Sequence, residues 1–263
     1  MSIRYEYDGS FVGFLSACAA GTIEGLARRV GEGAAGGAAA QRELFCDSLP
    51  VATDPEPARS FYRALKRALS AKDLRLAEAA FLSGLPGIDE ALARCLSRAA
   101  AGERRVFEKL AEPCVALAQK AARRATAEAH LYLGIVRFSE LADGSLYSVI
   151  EPECDVLPLI ADHFASRFPG YRWAILDLGR RRALLHEENR APLLGEAFAL
   201  AGGKGPELGA PPYAPGDAAV RAAWKRYFES VAIGERRNPD LQRAFIPKKH
   251  RKHMPEFEEA RDY

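Results

Sequence analysis

Apolar and polar positions alternate at the start of the chain. In "SIRYEY", Ile3, Tyr5 and Tyr7 fall on one side and Arg4 and Glu6 on the other, the period of a short strand. "DGS" then makes a turn, and Ser10 is placed to cap a helix over "FVGFLSACAAGTIEGL". Residues 31–40, "GEGAAGGAAA", are too rich in glycine for a firm helix and predict a flexible loop. "SLPVATDPEP" ends a short extended piece. From Pro57 to about Thr126 the pattern is helical. Phe61, Ala64, Leu65, Ala68 and Leu69 recur at three and four residues, and so do Leu74, Ala77, Phe81 and Leu82. Pro86-Gly87 breaks the run, "GIDEALARCL" restarts it with Asp89 near its first turn, and Pro113 marks a start or a kink.

Near residue 129 the composition turns to β-branched and aromatic residues. "AHLYLGIVRFSEL" and "LYSVIEP" flank Asp143-Gly144, a strong hairpin signal. "DVLPLIADHFASRFP" predicts a helix, and "YRWAILDLG" with "RRRALLHEE" a second hairpin through Gly179-Arg180. The expected fold class is therefore α+β: a helical N-terminal half, an antiparallel strand-strand-helix-strand-strand middle section, and a C-terminal helix with a basic segment. The divisions fall at residues 1–128, 129–201, a Gly/Pro linker at 202–216, and 217–263.

Composition sets limits on function. The 263 residues suffice for a real buried core, and a net charge of +2 gives no global pull toward nucleic acid or membrane. The local balance differs: from Arg221 to His253 ten Lys or Arg face three acids, a surplus of +7. Five cysteines (Cys18, Cys46, Cys95, Cys114, Cys154) form no CxxC pair, which points to a reduced, cytoplasmic setting. The first residues lack a signal-peptide pattern, and no run of about 18 apolar residues predicts a membrane span.

Catalytic motifs are sparse. "AGGKGPELG" lacks phosphate-loop spacing and reads as a flexible connector. The histidines (His130, His163, His186, His250, His253) show neither HxxxH nor HExxH, so no metal site is expected. Carboxylates gather around the first hairpin. Glu128, Glu140, Glu151 and Asp155, with His130 nearby, are weak catalytic candidates. The simpler expectation is that Asp155 caps a helix and Glu151 pairs with Arg137 across the hairpin. There is no GxSxG nucleophile elbow.

"RRNPDLQRAFIPKKHRKHMPEF", residues 236–257, carries the clearest signal. Asn238-Pro239 favours a turn, Leu241 and Phe245 sit one helical turn apart for docking, and Pro247 stops the run. Arg236, Arg237, Arg243, Lys248, Lys249, Arg251 and Lys252 are candidate phosphate contacts, while Asn238 orders the turn or reaches a base edge.

Three blocks, "YDGSFVGFLSA", residues 137–187 and residues 235–257, resemble a bacterial family assigned to DNA metabolism or DNA repair, whose shared region is a domain of unknown function. The resemblance implies a context rather than a reaction. Such proteins are commonly encoded beside a radical SAM protein similar to spore photoproduct lyases, and some are fused to a uracil-DNA glycosylase-like domain. No such fusion is expected here. The chain lacks a CxxxCxxC triad, so no cofactor of its own is expected, and any iron–sulfur chemistry would belong to the partner. In the family the basic block reads more like "PKRYWKHL"; here His250 and Arg251 replace the Tyr-Trp pair, exchanging stacking aromatics for charge. The first expectation is thus a DNA-binding accessory protein acting with a radical SAM partner. A nuclease or glycosylase-like enzyme built on the acidic/His candidates, and a protein-binding module that docks on that partner, are the alternatives.

Overall fold

A computed structural model describes residues 3–28, 47–196, 213–236 and 238–257. The expected loop at 31–40, Cys46, most of the 202–216 linker and Arg237 lie outside the described residues. The chain divides into two compact units, residues 1–125 and 126–263. The α+β class is observed: a helical N-terminal region, a mixed five-stranded sheet in the middle and C-terminal helices.

In the first unit, β1 (Ile3–Tyr7) lies between β2 (Leu26–Arg28) and β3 (Asp47–Pro50), and both neighbours run parallel to it. The sequence foretold only β1 with an extended piece near 50. Strands of three or four residues are too short to display an alternation. Helix α1 (Phe11–Ala19) starts where foreseen: Ser10 Oγ accepts from the Gly13 N–H at 2.9 Å, and Asp8 Oδ1 in turn accepts from the Ser10 N–H and hydroxyl. Helices α2 (Pro55–Ala68), α3 (Ala71–Leu82) and α4 (Ile88–Ala100) follow, the first two capped by Asp54 and Ser70. Rings of Phe11, Phe14 and Phe81 meet within 5.1–6.2 Å in the core. Buried Asp89 on α4 holds Arg28 of β2 through three hydrogen bonds, tying the short strand to the helices. Burial pushes the thiols of Cys18 and Cys95 up to about 12, so both behave as inert apolar side chains.

Helix α5 runs from Pro113 to Ile135, and this corrects the expectation of a strand from 129. Ala122, Ala125, Ala129, Tyr132 and Ile135 are buried at spacings of three and four. That spacing marks a helix whatever the strand-like composition suggests. The first hairpin shrinks accordingly to β4 (Ser139–Glu140) and β5 (Leu146–Ile150), joined through Gly144 at φ 79° with Asp143 Oδ1 accepting from the Ser145 N–H.

Helix α6 (Leu157–Arg167) separates β5 from β6 (Trp173–Asp177). It returns the chain to the other end of the sheet, so β5 and β6 pair parallel and the sheet is mixed rather than antiparallel throughout. The second hairpin forms as expected between β6 and β7 (Arg182–His186), and an unforeseen β8 (Leu193–Glu196) adds the far edge. Trp173 anchors this core, packed edge-on by Phe138 and Phe164 and stacked on His186 at 5.0 Å. Two further helices, α7 (Asp217–Val231) and α8 (Pro239–Phe245), precede 3-10 turns at Lys248–His253 and Pro255–Phe257. Buried Asp217 at the start of α7 accepts from the Glu140 N–H at 2.9 Å, fastening the helix to β4.

Candidate nucleic-acid interface

The basic segment is ordered by contacts that its own sequence dictates. Asn238 caps α8, its Oδ1 accepting from the Leu241 N–H at 3.0 Å, and Pro239 occupies the first turn, where its missing N–H costs nothing. The six residues Lys248–His253 form a 3-10 helix, which places side chains three apart on one side. His250 and His253 therefore turn inward together. His250 is buried against Tyr132, sharing a 2.9 Å hydrogen bond through Nδ1, while His253 Nε2 donates to Glu151 Oε1 at 2.9 Å. Met254 seals the contact beneath them. A recess beside these residues, lined also by Arg137, Val149 and Lys249, has a volume of about 10 Å³ and is partly open to solvent. That is far below the roughly 300–1,000 Å³ of ordinary ligand pockets.

Lys252 donates to Glu151 at 2.9 Å, and Lys249 is paired with Glu153. The Lys252 hydrogen bond, followed by that from His253, holds the Glu151 carboxyl below its ordinary range. Both lysines remain exposed. Exposed ion pairs of this kind are worth little, about 0–1 kcal/mol, and exchange readily for a phosphate. Arg236 and Lys248 are also exposed, and Arg243 is exposed while paired with Asp240 of its own helix. Arg251 behaves differently. Its Nε donates to the Ile246 carbonyl, its guanidinium lies 4.7 Å over the Phe257 ring, and its Nη2 is buried without a hydrogen-bond partner. It belongs to the packing of the segment rather than to its outer surface.

Two expected contacts are replaced. Arg137 pairs with Glu256 at 2.8 Å, not with Glu151, because the C-terminal turn brings a second carboxylate to it. Asp155 forms an ion pair with Arg182 instead of capping α6, whose N-cap is Val156 without a side-chain bond. Leu241 and Phe245 do not dock: they are 53% and 70% exposed. The remaining candidates are separated by their engagements. Glu128 accepts the backbone N–H groups of Glu153 and Cys154 at 2.8 and 2.7 Å, a clamp on the loop after β5. His130 and Glu140 are exposed. Among the described residues no group of three or more His, Cys, Asp or Glu side chains could hold a metal ion, and no helix is long and apolar enough to cross a membrane.

Residues that sequence reasoning passed over complete the surface. Trp224 and Tyr227 on α7 are exposed, Arg137 lies 5.0 Å over the Trp224 ring, and Phe228 meets Phe257 edge-on at 5.8 Å. These last contacts attach α7 to the end of the basic segment. The signal was present in "AAWKRYF", where aromatic and basic residues interleave.

Residues 86–256 match a family model described as a domain of unknown function, DUF4130, and the chain belongs to that family. Neither a curated protein nor a solved structure matches the chain.

Proposed function

We propose that the C-terminal surface binds DNA by its phosphates, and that the protein serves as an accessory factor of DNA repair or metabolism working with a radical SAM partner. One observation carries the DNA reading: Arg236, Arg243, Lys248, Lys249 and Lys252 are all exposed, and Arg243, Lys249 and Lys252 pair with Asp240, Glu153 and Glu151, none of which is buried. Phosphate oxygens suit such donors. The radical SAM partner rests on the family resemblance alone.

Salt dependence tests the DNA reading. About five neutralised phosphates give a log–log slope near −4.5, so raising salt fourfold weakens binding by about five hundredfold. A flat salt response, or undiminished binding by a Lys248→Glu/Lys249→Glu variant, overturns it.

The exposed Leu241 and Phe245 favour a second role for α8, docking on the protein partner. Co-purification that persists at high salt after nuclease treatment, and that is lost in Leu241→Ser/Phe245→Ser, would support it. The nuclease or glycosylase-like alternative gains no support from the candidate acids, whose hydrogen bonds go to backbone, lysine, histidine and arginine.

A further inference from the structure

Helix α7 carries its polar side inward. Asp217 is buried on the Glu140 N–H, Arg221 donates to Ser139 Oγ at 3.4 Å, and Lys225 is half-buried one turn further on. Large apolar side chains lie on another side. Val220, Trp224, Tyr227 and Val231 are 64%, 37%, 57% and 54% exposed. Their spacing of four, three and four residues keeps them within about 60° of one another around the helix, in a stripe about 16 Å long. That spacing is the seam of a coiled coil. The charges stand clear of it: Lys225 and Arg226 fall roughly 130° from its centre, one to either side. Small exposed residues, Ala219, Ala223 and Ser230, border its open flank, so another helix can approach closely. Trp224 is fixed from behind by the Arg137 guanidinium, which lies 5.0 Å from its ring and is itself held by Glu256.

We propose that this stripe is an interface with a second copy of the chain, the two α7 helices packing antiparallel about a two-fold axis. The symmetry of the stripe selects this occupant. A two-fold contact requires a surface that complements itself. A half-turn about the midpoint between positions 225 and 226 sets Val220 against the partner's Val231 and Trp224 against the partner's Tyr227. Two aliphatic pairs then flank two aromatic pairs along one seam. A different protein would need no such symmetry. The area also fits. With residue surfaces of about 150–250 Å², the exposed parts of the four side chains come to about 400 Å² per copy. Together with the small flanking residues, two copies would bury close to ~1,000 Å², the lower limit of a specific interface. That size suits a reversible pair with a dissociation constant on the order of micromolar. The interface does not depend on the nucleic-acid reading. Where that reading holds, it makes binding bivalent, because the Phe228–Phe257 contact and the Arg137–Glu256 pair join α7 to the end of the basic segment.

The test is sedimentation equilibrium of the full chain, free of nucleic acid, from about 1 to about 200 µM, a range that brackets a micromolar constant. The mass is expected to rise with concentration from one chain toward two. Val220→Glu and Val231→Lys should each weaken the pair by roughly tenfold or more, because each leaves a charge unpaired in the seam. The combined variant Val220→Glu/Val231→Lys sets opposite charges against each other across the axis and should recover most of the association at low salt. Within one helix the two positions stand about 16 Å apart, too far to pair, so the recovery cannot arise inside a single chain. Nor would a second substitution repair a folding defect. Val220→Glu/Val231→Glu should remain dissociated. A chain that stays monomeric throughout overturns the proposal and gives the face to a different protein. Association that appears only on adding an oligonucleotide gives it to nucleic acid and overturns the proposal equally. Dimers indifferent to the single variants, or a combined variant no better than either one, refute the antiparallel pairing. None of these outcomes bears on the phosphate reading, whose test is the salt dependence of DNA binding.

Discussion

Tyr132 Oη and His250 Nδ1 lie 2.9 Å apart, buried and joined across 118 residues of sequence. Burial raises the Tyr132 pKa and lowers that of His250, so near neutral pH the phenol is protonated and the imidazole uncharged, with one proton shared between them. This bond ties the basic segment to α5. Tyr132→Phe removes it with little change of shape and leaves a buried ring nitrogen unpaired. The expected cost is about 1–3 kcal/mol, read from denaturant melts, with amide exchange rising first in residues 248–257.

The same histidine makes stability depend on pH. Burial, and secondarily Lys249, depress its pKa from the ordinary 6.5; Glu128 and Glu153 oppose the shift more weakly. The unfolded chain therefore takes up this proton before the folded one does. The stabilising contribution is complete above about 6.5 and is lost as pH falls through the folded value. Melting temperature should decline from pH 7.5 toward the folded pKa, and His250→Gln should flatten that decline. An equally steep decline in the variant would contradict this assignment.

On the proposed function, Glu151 and Glu153, which pair with Lys252 and Lys249, would compete with DNA phosphates for them. Neutralising them as Glu151→Gln/Glu153→Gln should tighten DNA binding severalfold at low salt, with the difference shrinking as salt rises. If the acids served catalysis, the same variant would abolish a reaction rather than improve binding.

Glu128 separates a clamp from a catalyst. Because it accepts two backbone N–H groups, Glu128→Ala should cost about 1–3 kcal/mol of stability, and Glu128→Gln, which keeps one acceptor oxygen, less. Thermal melts of both variants measure the difference. A variant as stable as the parent would remove the structural role.

In the first unit, Gly13 leaves no space for a side chain. A methyl group there would run into Asp8 Oδ1 and stand 2.8 Å from Thr53 Oγ1. Gly13→Ala is expected to destabilise by about 1–3 kcal/mol despite the better helix propensity of alanine, as read by thermal melting.

The Ser10 cap and the long apolar periodicities were legible in the sequence, whereas the expected cap at Asp155 was not formed and Asn238, read only as a turn residue, turned out to cap α8. Ser10 and the β6–β7 hairpin declare themselves within a few residues, because their partners are local. The residues after Ala129 misled because leucine, tyrosine and isoleucine suit a strand, yet tertiary packing needed one side of a longer helix. The parallel pairing of β5 with β6 depends on where α6 delivers the chain, which local alternation does not encode. In the candidate interface, counting cations located the segment but not their directions. Arg251 and Lys252 are neighbours in sequence, yet one covers Phe257 and the other faces Glu151. That distinction arises from the 3-10 turn and from carboxylates about a hundred residues away.

The five-stranded sheet lists its strands in chain order, each hydrogen-bonded to the one before it. Such pairings close short loops and need little of the chain to be present, whereas the Tyr132–His250 bond closes a long one. During synthesis the sheet would therefore assemble ahead of the segment that follows it. The basic turn Lys248–His253 would be the last part to settle and the first to open, a cooperative unit of its own that can exchange its carboxylate partners for a ligand without disturbing the fold beneath.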